Sequence, residues 1–165
     1  MERTERNVRV TILTISDRVS RGEREDKSGP AVVERCKSLG WEIVATETLP
    51  DERATIASRL TTIADSAAAD LVLTTGGTGI GPRDSTPEAT VAVCDKVLPG
   101  FGEQMRAKGR EFNPRAILSR AVSGVRAKCL IVNLPGSPKG AVESLDALAD
   151  LLPHAAEVLR GAHHD

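Results

Sequence analysis

The stretch LVLTTGGTGIGPRDSTPEAT runs from Leu71 to Thr90. Leu71 to Thr74 is a short apolar run of strand length, and it leads straight into glycines. Gly76, Gly77, Gly79 and Gly81 make a loop that can adopt positive φ and let another group approach its backbone closely. Thr86-Pro87-Glu88 then reads as N-cap, N1 proline and acidic first turn. A strand, a glycine loop and a helix start in that order are the working unit of an α/β protein.

The same alternation continues on both sides. The β-branched run from Val8 to Ile15 predicts a buried strand. A polar loop, DRVSRGEREDKSGP, follows from Asp17 to Pro30. Ala31, Val32, Val33, Cys36 and Leu39 recur at helical spacing, and Gly40 closes that helix. Trp41 to Leu49 predicts a second strand. Asp51 reads as the N-cap of a helix through Ile56, Leu60 and Ile63. Later, a helix is expected over 102–112 and strands over 117–125 and 128–134. Ser137-Pro138 starts a helix carrying Val142, Leu145 and Leu148, and Pro153 restarts a last one to Arg160. Strands alternating with helices predict a three-layer α/β/α sandwich with a mostly parallel sheet. The expectation is a single domain over 1–165, with its core at about 8–160.

Composition narrows the function classes. A chain of 165 residues can bury roughly 70% of its unfolded surface and needs no disulfide or metal to fold. The net charge is −1, with no basic tail, so there is no electrostatic footprint for nucleic acid or an anionic membrane. Tyr is absent, and Trp41 and two Phe are the only aromatics, which argues against a base-stacking platform. The start, MERTERNVRV, lacks a signal-peptide pattern, and no apolar run approaches the roughly 20 residues of a membrane span. Cys36, Cys94 and Cys129 form no CxxC and read as reduced core thiols of a cytoplasmic protein. His154, His163 and His164 come late, the last two in a frayed tail, and no set has zinc-like spacing.

Ligands of open α/β sheets bind at the carboxyl ends of strands. Four predicted loops lie there: Ser16-Asp17, Pro50-Asp51, Gly76 to Ser85, and Pro135 to Lys139. The glycine loop is not a Walker A loop, because no Gly-Lys-Ser/Thr follows. It is not the dinucleotide fingerprint, because Pro82 stands where that needs glycine. It still reads as an anion nest feeding a helix N-terminus. A plain tight turn is the bland alternative. Asp84 is then out of place, since a bare carboxylate repels phosphate. A pair of Asp51 and Asp84 holding Mg²⁺ between them and a phosphate resolves the conflict. The competing reading has Asp51 as a helix cap and Asp84 bonding turn amides or Arg83. Ser137 and Lys139 in PGSPKG form a second candidate anion site or an ordinary capped helix start. Ser16 ends a strand, where a serine often only bonds the backbone.

Seven segments together resemble a known family. They are ISDR (Ile15 to Arg18), LPD (Leu49 to Asp51), TTGGTG with PRDSTPEAT, PGFGEQMR (Pro99 to Arg106), ILSR (Ile117 to Arg120) and NLPGSPKG (Asn133 to Gly140). The chain resembles the molybdopterin adenylyltransferases, the bacterial molybdenum-cofactor proteins and the G domain of gephyrin, from about Val8 to Arg160. The resemblance implies a three-layer α/β fold, usually trimeric. It implies transfer of AMP from Mg-ATP to the terminal phosphate of molybdopterin, with release of pyrophosphate. The product then goes to metal insertion, with a possible partner protein. Asp51 and Asp84 match the family's catalytic, Mg²⁺-holding positions. Gly76, Gly77, Thr78 and Gly79 match its nucleotide loop, and Ser16, Asp17, Ser137 and Lys139 its pterin pocket. Ile80-Gly81 falls where the family pattern varies. With so few aromatics, the adenine pocket is expected to use backbone and aliphatic groups. Two other readings stay open: a catalytically weak or inactive pterin carrier, and an oligomeric interaction module.

Overall fold

The computed structural model describes residues 7–161, so His163 and His164 lie outside the described residues. Its strands are β1 (Arg9–Ile15), β2 (Glu42–Leu49), β3 (Leu71–Thr75), β4 (Lys96–Val97), β5 (Ser123–Arg126) and β6 (Cys129–Leu134). Its helices are α1 (Asp17–Ser20), α2 (Ser28–Ser38), α3 (Arg53–Asp65), α4 (Thr86–Val93), α5 (Pro99–Phe112), α6 (Pro138–Leu148) and α7 (Leu152–Leu159). The sheet order is β2-β1-β3-β6-β5-β4. The first four strands in that order pair in parallel, while β5 and β4 add an antiparallel edge.

Side-chain alternation along the strands builds two cores. Val10 and Ile12, Leu71 and Leu73, and Leu130, Val132 and Leu134 point to one face, where Val32, Met105, Leu145 and Leu152 meet them. Leu13 and Ile15, Val72, and Cys129 and Ile131 point to the other, against Ile56, Leu60, Ala89 and Val93. Helices therefore cover both faces, and the central strands read as continuous apolar runs for that reason. The result is the expected three-layer, mostly parallel α/β sandwich. Cys36 and Cys129 are buried free thiols, pushed up to about 12 by desolvation, and Cys94 to about 11. They are inert packing residues.

Several local expectations are corrected. Asp51 is not the N-cap of α3. Glu52 occupies that position and makes no side-chain cap, and the Asp51 carboxylate instead accepts the Asp17 N–H. Ser85, not Thr86, precedes α4; the Thr86 hydroxyl donates to the Gly76 carbonyl at 3.0 Å. The strand expected over 117–125 shrinks to β5. Pro114 to Leu118 forms a 3₁₀ turn, capped by the Asn113 side chain, which accepts the Arg115 N–H. Ile117 and Leu118 are exposed there, so their aliphatic character does not mark a strand. Helices α2 and α5 start three residues earlier than expected, at Ser28 and Pro99, and α1 and β4 have no counterpart in the sequence reading. Both are too short to show a period.

Candidate functional site at the strand ends

All four predicted loops meet. They line a cleft of about 350 Å³, bounded by Ser16, Asp51, Gly76, Gly77, Asp84 and Ser137. The packing beneath it explains why glycine is needed. Gly76 has φ +105°, and a Cβ there would run into the Ile15 carbonyl. Gly136 lies against Gly76, where an added Cβ would stand 3.3 Å from the Gly76 Cα. Gly77 has φ +69°, and a Cβ on it would strike Thr86 Oγ1 and come within 3.0 Å of Asp51 Oδ1. The ends of β1, β3 and β6 thus touch through backbone alone.

A buried polar chain supports this floor. Asn133 Nδ2 donates to Thr74 Oγ1 at 3.1 Å and to Thr90 Oγ1 at 3.0 Å. The Thr90 hydroxyl donates to the Thr86 carbonyl, and the Thr86 hydroxyl to that of Gly76. Buried polar groups are costly unless paired, and here each finds a partner, which fixes the loop's root. Above the root, the N–H groups of Gly77, Thr78 and Gly79 have no acceptor among the described residues. Neither do those of Gly136 and Ser137. Unpaired amides clustered in a turn are what an anion nest requires.

The carboxylates divide into different roles. The Asp17 N–H donates to Asp51 Oδ2, and the Asp51 N–H donates to Asp17 Oδ1, each at 2.9 Å. Arg83 forks onto both Asp17 oxygens at 3.0 Å. The Arg83 bond foremost, with the Asp51 amide, holds the Asp17 carboxyl below its ordinary value. Asp51 goes the other way. Burial raises its pKa, against the pull of the Asp17 N–H, and the negative charges of Asp17 and Asp84 add to the rise. Asp51 Oδ1 is buried and has no hydrogen-bond partner. Asp84 Oδ2 accepts the Gly81 N–H at 2.9 Å, and its other oxygen has no protein partner among the described residues.

These groups fit a divalent cation in a particular way. Among the described residues, no three His, Cys, Asp or Glu side chains converge into a cage. A lone buried carboxylate oxygen beside a second carboxylate and a turn of unpaired amides instead suits a Mg²⁺ ion that takes its remaining oxygens from an anionic ligand. The orphaned Asp51 Oδ1 is the observation that favours this over simple capping.

The other predicted residues fall into place unevenly. The Ser16 hydroxyl caps α1 by accepting the Val19 N–H, and both Asp17 oxygens are occupied within the protein. The Ser137 hydroxyl caps α6 by accepting the Gly140 N–H. Lys139 is exposed, lies 3.9 Å from Glu143, and borders a second hollow of about 370 Å³ between α5, the 3₁₀ turn and α6. Ser137 lines both hollows and joins them. Sequence reasoning gives no role to Asp26, which accepts from Thr14 Oγ1 and the Gly29 N–H at the cleft wall. It gives none to Arg120, which grips the glycine loop from outside. The Asp26–Gly29 contact is local, whereas Arg120 reaches Gly79 and Asp84 from 41 and 36 residues away, with no local pattern to announce it.

Known proteins resemble this chain over most of its length. The family model described as "Probable molybdopterin binding domain" matches residues 11–154. A molybdopterin adenylyltransferase of Helicobacter pylori strain J99 is 44% identical over 161 residues, covering 93% of this chain and 89% of that protein. The molybdopterin adenylyltransferase of Escherichia coli K12 is 47% identical over 145 residues, covering 87% and 74%. The crystal structure of the molybdopterin biosynthesis enzyme MoaB from Thermus thermophilus superposes with a TM-score of 0.88 at 49% identity, covering 94% of this chain and 98% of that one. The chain belongs to the family of molybdopterin-binding domains that these proteins share.

Proposed function

We propose that this protein is a molybdopterin adenylyltransferase, moving AMP from ATP to the terminal phosphate of molybdopterin with release of pyrophosphate. The observation that carries the reading is the pairing of a buried, unpartnered Asp51 Oδ1 with a loop whose Gly77, Thr78 and Gly79 amides are unpaired. Two relatives that carry this name at 44% and 47% identity support it.

In this reading, Gly77, Thr78 and Gly79 receive the nucleotide phosphates on their N–H groups, while Gly76, whose own N–H is given to the Leu134 carbonyl at 3.1 Å, shapes the turn at φ +105°. Asp51 and Asp84 hold Mg²⁺, which neutralises charge on the phosphates when bound. Asp17 and Arg83 keep Asp51 oriented, the first by its N–H and the second by pinning Asp17. The pterin phosphate lies towards Ser16, Ser137 and Lys139, where Ser137 joins the cleft to the second hollow. Its oxygen forms a new bond to the α-phosphorus in line, the bond to the β-phosphate oxygen breaks, and pyrophosphate leaves. The attacking phosphate is already ionised, so no general base is needed. Catalysis is then positioning plus electrostatic stabilisation by preset amides.

The chain is further read as one domain, working in the cytoplasm as a homotrimer. Exposed Phe112, Ile117 and Leu118 around the 3₁₀ turn offer apolar surface for self-association. Among the described residues, no helix is long and apolar enough to cross a membrane.

The test is direct. Purified protein, molybdopterin and Mg-ATP are incubated and the adenylylated pterin is sought by chromatography. Pterin binding without product would instead identify a carrier.

A further inference from the structure

Arg120 follows the 3₁₀ turn and reaches back across the glycine loop. Its backbone N–H donates to the Thr78 carbonyl at 2.9 Å. Its Nε donates to the Gly79 carbonyl at 2.7 Å, and Nη2 to the Asp84 carbonyl at 2.9 Å. Nη1 is held by both oxygens of Glu88, at 2.6 and 2.9 Å, in the first turn of α4. We propose that Arg120 is the positioning residue of the glycine loop, with Glu88 as its anchor. The proposal rests on the nucleotide reading of that loop.

Peptide planarity makes the argument. A trans peptide directs its N–H opposite to its carbonyl. Turning the carbonyls of Thr78, Gly79 and Asp84 onto Arg120 therefore turns the N–H groups of Gly79, Ile80 and Ser85 away from it. None of those three amides has an acceptor among the described residues. One guanidinium thus fixes donors on both limbs of the loop, and carries Asp84 with them. Glu88 supplies the reason the fork does not swing free. It neutralises the charge and is itself set on the first turn of a helix. A lysine offers donors from one point and cannot span Gly79, Asp84 and Glu88 together. Within the loop, Asp84 closes the turn at Gly81 and Thr86 holds the Gly76 carbonyl, but neither reaches the carbonyls of Thr78 and Gly79.

The test uses the intact chain and its Arg120→Ala, Arg120→Lys, Glu88→Gln and Arg120→Ala/Glu88→Gln variants. Amide hydrogen exchange is followed over 76–85, with Mg-ATP and molybdopterin affinities by calorimetry. Arg120→Ala should speed loop exchange and weaken Mg-ATP binding about tenfold to a hundredfold, the usual scale for charge-assisted hydrogen bonds. Molybdopterin affinity should hold. Arg120→Lys should restore little. Glu88→Gln should weaken Mg-ATP binding severalfold alone and add nothing once Arg120 is gone. If Arg120→Ala does not fold, Arg120→Lys and Glu88→Gln carry the same readings. Wild-type Mg-ATP affinity and unchanged loop exchange in the variants overturn the proposal alone. Failure of the wild-type chain to bind Mg-ATP overturns the nucleotide reading and this proposal with it.

Discussion

Asp17 and Asp51 hold each other crosswise, each accepting the other's backbone N–H at 2.9 Å. The exchange uses Asp51 Oδ2 and leaves Oδ1 buried without a partner. It also sets the two carboxyls apart in acidity. Asp17 is held low by Arg83, and Asp51 is held high by burial.

A pH-dependent stability follows from Asp51. Its folded-state pKa is raised above the unfolded value, near 3.9. The folded protein then holds the proton more tightly, so the Asp51 contribution favours folding at low pH and is lost as pH rises through the raised value. Asp51→Asn removes that slope. In EDTA at pH 7.5 the variant should melt at or above the wild-type temperature, and the gap should close on acidification towards pH 4. Added Mg²⁺ should raise the melting temperature of the wild type only. A variant that melts well below the wild type at pH 7.5 would show that Asp51 is a structural anion.

Gly76 tests the backbone floor. Alanine there meets both a positive φ of +105° and the Ile15 carbonyl, which cannot move without shifting β1. Gly22 also has positive φ, at +73°, but nothing stands near its missing Cβ. Gly22→Ala should cost about 1 kcal/mol from conformation alone, and Gly76→Ala at least about 3 kcal/mol. Urea denaturation of the two variants checks the difference. Equal losses would remove the steric argument for the loop's first glycine.

What the sequence reveals is what is local. The alternation of Val10 and Ile12 with Leu13 and Ile15 is printed in the order of residues, and so is the proline-led start of α6. The grouping of the cleft follows from the general rule for strand ends. The Asp51 carboxylate reads as a cap in sequence because its real partner, Asp17, is 34 residues away. Ile117 and Leu118 read as strand because exposure cannot be seen in composition. Arg120 bonds Gly79 across 41 residues, so only the folded chain brings out its role.

Nucleotide binding should depend on Mg²⁺. Two carboxylates beside the phosphate nest repel an uncompensated triphosphate, and a divalent ion reverses that sign. Calorimetric titration with ATP should show affinity falling by about tenfold or more in EDTA, a change worth roughly 1.4 kcal/mol. The same affinity in both buffers would leave Asp51 and Asp84 without a metal.

Assembly is checked by sedimentation velocity. At micromolar concentration the chain should sediment as a single species of three copies. The apolar side chains of Phe112, Ile117 and Leu118, 60%, 59% and 51% exposed, are the candidate contact. Leu118→Asp should then shift the species towards monomer. A stable wild-type monomer would remove the trimer from the reading.

Asp84→Asn separates catalysis from architecture most sharply. In the folded chain Asp84 Oδ2 accepts the Gly81 N–H, a bond that an asparagine oxygen can keep. The Asp84 carbonyl, held by Arg120, is untouched by the change. The fold should therefore survive within about 1 kcal/mol. On the proposed function, the loss falls on the charge next to the transferring phosphate. Removing one such electrostatic contact typically costs about 3–4 kcal/mol at the transition state, or roughly a hundredfold to a thousandfold in turnover. Molybdopterin affinity should change little, because the proposed pterin residues Ser16, Ser137 and Lys139 belong to other segments, at the starts of α1 and α6. If Asp84 only closed its turn, an asparagine that keeps the Gly81 bond would leave melting temperature and activity both near wild type. Thermal melting, pterin affinity and adenylylation rate on one preparation distinguish these outcomes. Normal melting with near-normal adenylylation would take Asp84 out of the reaction and leave Asp51 as the sole carboxylate at the phosphate.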